Sequence, residues 1–257
     1  MNTATAPADT LFDCHFHIID PRFPLLPNSG FLPEPFTVED YLRRTLALGV
    51  TGGAVVSASF QAYDQDYLLE ALRQLGPGFV GVTQLPAGTS DSRILALHRA
   101  GVRALRFNLY RNGPEAPARL KDLAHRVHDL VGWHVELYVD AKDLRDLEPV
   151  LLSLPRISID HLGMSSLGHS SLLRLVESGA KVKATGFGRV SLDVASALRQ
   201  VHRIDPTALM AGTDLPSTRA RRPFRDGDIR LIGNTLGPEA LAAVLRTNAR
   251  TFYGFPR

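Results

Sequence analysis

The stretch Leu11-Phe12-Asp13-Cys14-His15-Phe16-His17 reads as a short strand ending in His-x-His. Side chains alternate along a strand, so regular alternation puts Asp13, His15 and His17 on one face and Phe12, Cys14 and Phe16 on the other. Two imidazoles then converge at the strand's carboxyl end. Imidazole binds metals, donates hydrogen bonds and titrates near neutrality, so a neighbouring pair suits polarising a carbonyl or holding an ion. Taken alone, the pair fits two core histidines equally well, and the rest of the chain has to decide.

Outward from this strand, 20–35 is rich in proline and glycine and reads as a long loop of the kind that covers a site. Thr37 with Asp40 three residues on is an N-cap pattern for a helix that stops at Gly49. Strands follow over 50–57, 79–85, 102–108, 133–139, 157–161, 181–185 and 208–213. Between and after them the periodicity predicts helices over 66–75, 90–100, 120–131, 144–154, 171–178, 192–204 and 238–252. Strand starts about 23 to 40 residues apart are the rhythm of βα units, and eight of them predict a single (β/α)8 TIM barrel. An open doubly wound sheet would carry a phosphate-loop run after the first strand, and none is present. A length of 257 residues suits one barrel domain over 11–257, preceded by a loose tail over 1–10.

Composition narrows the class. Hydrophobic residues at 44% and charged residues at 21% are those of a soluble globular protein. No apolar run reaches a membrane span, and residues 1–10 lack the basic and apolar regions of an export signal. The lone Cys14 excludes an internal disulfide. A cytoplasmic enzyme without a membrane partner is expected, and a homo-oligomer is compatible with the sequence. A formal net charge of only +3 gives no support to nucleic-acid binding.

In a barrel of this kind chemistry collects at the carboxyl ends of the strands. Arg106 and Asn108 end the fourth strand in phase, and Arg111 follows in the loop. His134, Glu136 and Tyr138 share a face of the fifth. His161, in phase with Ile157 and Ile159, is expected to point inward, with Asp160 out of phase and structural. Arg189 follows the seventh strand, and Asp214 follows the eighth at the mouth. Asp13, Glu136 and Lys183 are expected to form a buried polar layer lower down, because an inward charge needs a partner. An inward Arg106 must likewise answer a negative charge. The run 219–225, with four arginines, either recognises a carboxylate or phosphate at the mouth or is a solvated loop. His98, His125, His128, His169 and His202 carry no site.

The ordered set Asp13-Cys14-His15-Phe16-His17, Asp160-His161-Leu162-Gly163, Lys183-Ala184-Thr185-Gly186, Gly212-Thr213-Asp214-Leu215-Pro216 and the closing 248–255 resembles the amidohydrolase superfamily. The branch it is most similar to is the 2-pyrone-4,6-dicarboxylate lactonase-like proteins. The resemblance implies a (β/α)8 hydrolase in which His15, His17 and His161 polarise a lactone carbonyl and Asp214 activates water; an aspartate beside a bound water can act as base if its site raises its pKa towards neutrality. It implies that Arg106, Arg111, Arg189 and Tyr138 hold an anionic substrate, with the Ser59 and Ser217 hydroxyls beside them. Many superfamily members hold divalent metals through further ligands on strands four and five. Here those positions carry Arg106 and Tyr138, so no metal is favoured; one zinc or manganese, if bound, would take His15, His17, His161 and Asp214. Met164, Ser217 and Phe31 stand where the lactonase pattern has arginine, asparagine and tyrosine, which favours a different small anionic lactone or cyclic ester. A mononuclear zinc amidohydrolase or decarboxylase and a non-catalytic anion-binding barrel are the rival readings.

Overall fold

The computed structural model describes residues 10–111 and 119–256, so most of the expected tail (1–9) lies outside the described residues. Eight strands pair in parallel in chain order: β1 (Leu11–Phe16), β2 (Val50–Val56), β3 (Phe79–Thr83), β4 (Val102–Asn108), β5 (His134–Tyr138), β6 (Ile157–Ile159), β7 (Lys181–Ala184) and β8 (Leu209–Ala211). The two ends of the sheet are tied by Asp13, whose carboxylate accepts from the Thr213 amide at 2.8 Å and the Thr213 hydroxyl at 2.6 Å. The Asp214 amide donates to the His15 carbonyl at 2.7 Å. This is the expected (β/α)8 barrel.

Helices α1 (Val38–Thr45), α2 (Asp66–Leu75), α3 (Asp91–Arg99), α4 (Leu120–Val131), α5 (Leu144–Leu151), α6 (His169–Glu177) and α7 (Val194–Ile204) separate successive strands. Local chemistry sets their ends. At α1 Thr37 and Asp40 cap each other's amides reciprocally, and Gly49 ends the turn that follows in the left-handed region at φ 59°. After β8 the chain departs from the sequence reading. An eleven-residue helix, α8 (Asp226–Leu236), precedes the expected last one; Gly227, Gly233 and Asn234 weaken its helical signal. The segment over 238–252 then divides into α9 (Pro238–Ala242), a π-type turn Ala243–Thr247 and α10 (Asn248–Phe252). None of the helices among the described residues is long and apolar enough to cross a membrane.

Two cores lie on either side of the strands. Phe12 and Cys14 pack with Ala54, Val56, Val80, Val82, Ala104 and Met210 inside the barrel, where Phe252 and Tyr253 close its floor. Leu11, Phe16, Val55, Leu105, Leu137, Ile157 and Ile159 pack outward against the helices. The alternation expected for β1 is therefore wrong at its start. Asp13 faces outward, takes the Tyr41 hydroxyl of α1 at 3.1 Å and does not join a polar layer with Glu136 and Lys183. The cause is a register break: Asp13 pairs with Gly53 but Phe16 with Val55, three steps on one strand against two on the other. Such a β-bulge reverses the phase. Beyond it His15 turns inward beside Cys14, and Phe16 turns outward to stack on Tyr41 at 3.7 Å.

A similar correction applies to β6. Ile157 and Ile159 face the helices, so strict phase would carry His161 outward and Asp160 inward. Asp160 does enter the barrel. His161 reaches the mouth because the strand has already ended and His161 and Leu162 adopt φ 50° and 52°. The left-handed region is costly for such residues and is held only where the surroundings enforce it.

Candidate active site

Four side chains from three strands meet at the mouth. The Nε2 atoms of His15, His17 and His161 lie 3.9, 3.7 and 3.9 Å from Asp214 Oδ1, and all four side chains are buried. Asp214 adopts φ 59°, a second left-handed position in the cluster beside His161. Two glycines make the convergence fit. A Cβ on Gly186 would lie 2.6 Å from His161 Nδ1, and one on Gly212 would lie 2.8 Å from the His15 amide. Asp214 Oδ1 and His15 Nε2 are buried polar atoms without a hydrogen-bond partner among the described residues, so the centre of the cluster suits a further polar group.

The far nitrogen of each ring is held. Val56 O lies 2.7 Å from His17 Nδ1, and Thr185 Oγ1 lies 2.7 Å from His161 Nδ1. Lys183 Nζ reaches His15 Nδ1 at 3.1 Å, while Asp160 Oδ1 stands 3.4 Å from the same atom and makes no hydrogen bond. Lys183 is also paired with Glu136, which His134 and Tyr253 contact from the floor. Arg106 answers Asp160 Oδ2 at 2.9 Å and the Ser57 carbonyl at 2.6 Å. The expected inward arginine thus has its negative charge within the protein, supplied by the residue read as merely structural.

These neighbours set the protonation states. Burial drives His15 down to about 3 and His161 well below its ordinary value, so both are neutral. Burial alone would raise Asp214, but Arg189 clamps its Oδ2, with Nε at 2.8 Å, and the carboxyl falls far below the usual range. The condition for an aspartate base, a pKa raised towards neutrality, is not met beside that guanidinium. Burial opposes the Lys183 charge as well, yet Glu136 and Asp160 keep it protonated.

A pH dependence follows. His15, His134 and His161 have folded pKa values below their unfolded ones, so the unfolded chain takes up their protons first as pH falls from about 7. Asp13, raised to about 6 by burial, works the other way between its ordinary value and 6, but it is one group against three. The unfolding free energy from urea titration is expected to fall continuously from pH 7 to pH 4.5, by roughly 1 to 3 kcal/mol per pH unit, and the midpoint with it. A flat midpoint over that window would contradict neutral buried histidines.

Ser59, Phe60, Asn108, Arg111, Tyr138, Arg189, Thr218 and Arg219 line the mouth with Arg106, His17, His161 and Asp214, while His15 lies behind them, fully buried. Ser217 stands apart: its hydroxyl accepts from the Phe224 amide at 3.0 Å. Of the 219–225 run, Arg219 enters the mouth while Arg222 pairs with Asp228. Arg219 donates to Asn28 Oδ1 at 2.9 Å and lies 4.3 Å over Phe31, and Asn28 Nδ2 reaches the Arg111 carbonyl at 3.2 Å. Nothing in the sequence flags Asn28, because its role is a long-range bridge. Burial and the neighbouring Arg111 charge lower the Arg219 pKa. Inside, Glu136, Asp160 and Asp214 are matched by Lys183, Arg106 and Arg189. At the rim Arg111 and Arg219 have no carboxylate partner among the described residues. A larger hollow of about 620 Å³ opens at the opposite end of β6 and β7, between Leu154, Leu175 and Phe252, but among the described residues no acid or histidine lines it.

A family model described as amidohydrolase matches residues 12–255 of this chain, nearly its full length. The chain belongs to the amidohydrolase family. A 2-pyrone-4,6-dicarboxylate hydrolase of Comamonas testosteroni is 30% identical over 59% of this chain, a match that spans only 51% of that protein. A 4-sulfomuconolactone hydrolase of Hydrogenophaga intermedia is 24% identical over 85% of this chain and 79% of its own length. Among solved structures, a probable 2-pyrone-4,6-dicarboxylic acid hydrolase of Acinetobacter baumannii, determined with citric acid bound, superposes with a TM-score of 0.83 at 21% identity, covering 95% of this chain and 99% of that one. That likeness concerns the fold. In this amidohydrolase, His15, His17 and Asp214 form one His/Asp group that could hold an ion, and His15, Asp160 and His161 form another.

Proposed function

We propose that this amidohydrolase hydrolyses a small anionic lactone or cyclic ester without a metal. The observation that carries the reading is the unpartnered Asp214 Oδ1 facing three imidazole Nε2 atoms, beneath two rim arginines with no carboxylate of their own among the described residues. A water on Oδ1 would sit beside a substrate carbonyl held by buried imidazoles, and an anionic group on the substrate would supply what Arg111 and Arg219 lack. The relatives named as hydrolases of a pyrone dicarboxylate and a sulfomuconolactone support both lactone chemistry and a charged substrate. Attack at the carbonyl followed by cleavage of the ring C–O bond gives an open hydroxy acid or its keto form.

Members of this family often use a metal, and on distance alone His15, His17, His161 and Asp214 would accept one zinc. Their chemistry fits it poorly. The Lys183 ammonium has only protons to give, so its bond to His15 Nδ1 leaves the ring proton on Nε2, the atom an ion would need. Arg189 already neutralises Asp214, and the two fixed cations would oppose a dication.

The test is a panel of lactones and cyclic esters with and without a carboxylate or sulfonate. Turnover confined to the anionic members is expected, and equal turnover of neutral ones would overturn the assignment. Within that panel, Arg219→Gln should raise KM about tenfold with kcat little changed, the signature of lost uniform binding.

A further inference from the structure

The two imidazoles of the His-x-His pair look equivalent in sequence, but their far nitrogens meet opposite chemistry. His17 Nδ1 faces the Val56 carbonyl at 2.7 Å, and a carbonyl can only accept. His17 therefore carries its proton on Nδ1, and its neutral form turns an Nε2 lone pair into the site. His15 Nδ1 faces the Lys183 ammonium at 3.1 Å, and an ammonium can only donate. The remaining groups packed around His15 are Asp160, whose Oδ1 stands at 3.4 Å without a hydrogen bond, Asp214, His17 and His161. Asp160 competes for the ring proton, but its other oxygen is taken by Arg106, and Lys183 alone meets Nδ1 in hydrogen-bonding geometry.

We propose that Lys183 is a positioning residue that fixes His15 as an Nε2–H donor for the developing oxyanion, while the Val56 carbonyl fixes His17 as the acceptor of the attacking water's proton. The division of labour rests on the lactone-hydrolase reading and refines it. His17 Nε2 and Asp214 Oδ1, both acceptors and 3.7 Å apart, match the two hydrogens of one water. As that water's oxygen bonds to the carbonyl carbon, one proton passes to His17 Nε2, and the carbonyl π electrons move to the oxygen that His15 holds. Collapse of the adduct breaks the ring C–O bond, and the His17 proton goes to the leaving oxygen. Asp214, clamped by Arg189, keeps its charge throughout and stabilises the imidazolium, the part an aspartate plays beside a catalytic histidine in a triad.

The experiment is a long-range ¹⁵N–¹H correlation on the full-length protein labelled in histidine, at pH 7.5, with His15 and His17 assigned by the loss of signals in His15→Gln and His17→Gln. The expected spectrum has the proton on Nε2 of His15 and on Nδ1 of His17; the same protonated nitrogen on both overturns the proposal. Lys183→Met should move the His15 proton to Nδ1, towards Asp160, and lower kcat by about a hundredfold with KM within a few-fold. Lys183→Arg should restore the Nε2–H form and part of the rate. A folded Lys183→Met with an unchanged His15 signal also refutes the role, and if that variant does not fold the wild-type spectrum decides. No substrate is needed for the spectrum, so opposite tautomers in a protein that hydrolyses no lactone would sink the functional reading alone.

Discussion

Asp214→Asn is expected to lower kcat on an anionic lactone by about 10³-fold or more while leaving KM within a few-fold of the parent. The substitution keeps the side-chain volume but removes the charge that Oδ1 presents to the centre of three imidazoles, 3.7 to 3.9 Å away. It also releases Arg189, which loses its only carboxylate partner among the described residues and can turn to the substrate's anionic group, so KM should not rise. Steady-state kinetics beside a single-turnover measurement separate the two effects. A non-catalytic anion-binding barrel predicts the reverse pattern: carboxylate binding survives the substitution, and neither form turns over.

The second large effect is on stability, at a residue outside the mouth. Glu136→Leu is expected to cost about 3 to 5 kcal/mol in urea unfolding, because it leaves the Lys183 ammonium without its main partner in a fully buried position. His134 Nε2 at 3.1 Å and the Tyr253 hydroxyl lose the same acceptor, so the floor of the barrel and the base of the site weaken together. Adding Lys183→Met to Glu136→Leu should recover part of the loss, since an apolar pair of similar volume is less costly than one stranded charge. A double variant no more stable than the single one would show that the pair is not coupled as described. Loss of activity without loss of stability in Glu136→Leu would place the residue in the chemistry instead.

The barrel was legible because βα alternation is written in local signals: caps at Thr37 and Ser90, stops at Gly49, Gly76 and Gly132, and strand runs of fitting length. Convergence of His15, His17, His161 and Asp214 was legible for the same reason, since each closes a strand. Phase was not. A β-bulge in β1 turns Asp13 outward, and left-handed residues after β6 and β8 re-aim His161 and Asp214 by local geometry that strict alternation cannot represent, whereas Asp160 enters the barrel because Ile157 and Ile159 face the helices, the opposite of the expected phase. His161 points inward as expected, but for a different reason. Electrostatics escaped for another reason: the Arg189 clamp on Asp214 joins residues 25 apart in the chain, and the Asn28 contacts with Arg111 and Arg219 span 83 and 191. Such pairings are fixed by the closed fold and leave no periodic trace.

The most direct test of the central claim is turnover of an anionic lactone by protein exhaustively treated with a strong chelator, with zinc, manganese and iron content measured on the same sample. A metal-free hydrolase in which imidazoles and fixed cations do the work of an ion predicts substoichiometric metal and an unchanged rate. About one equivalent of metal, removed together with activity and restored with it by adding back zinc or manganese, would contradict that account.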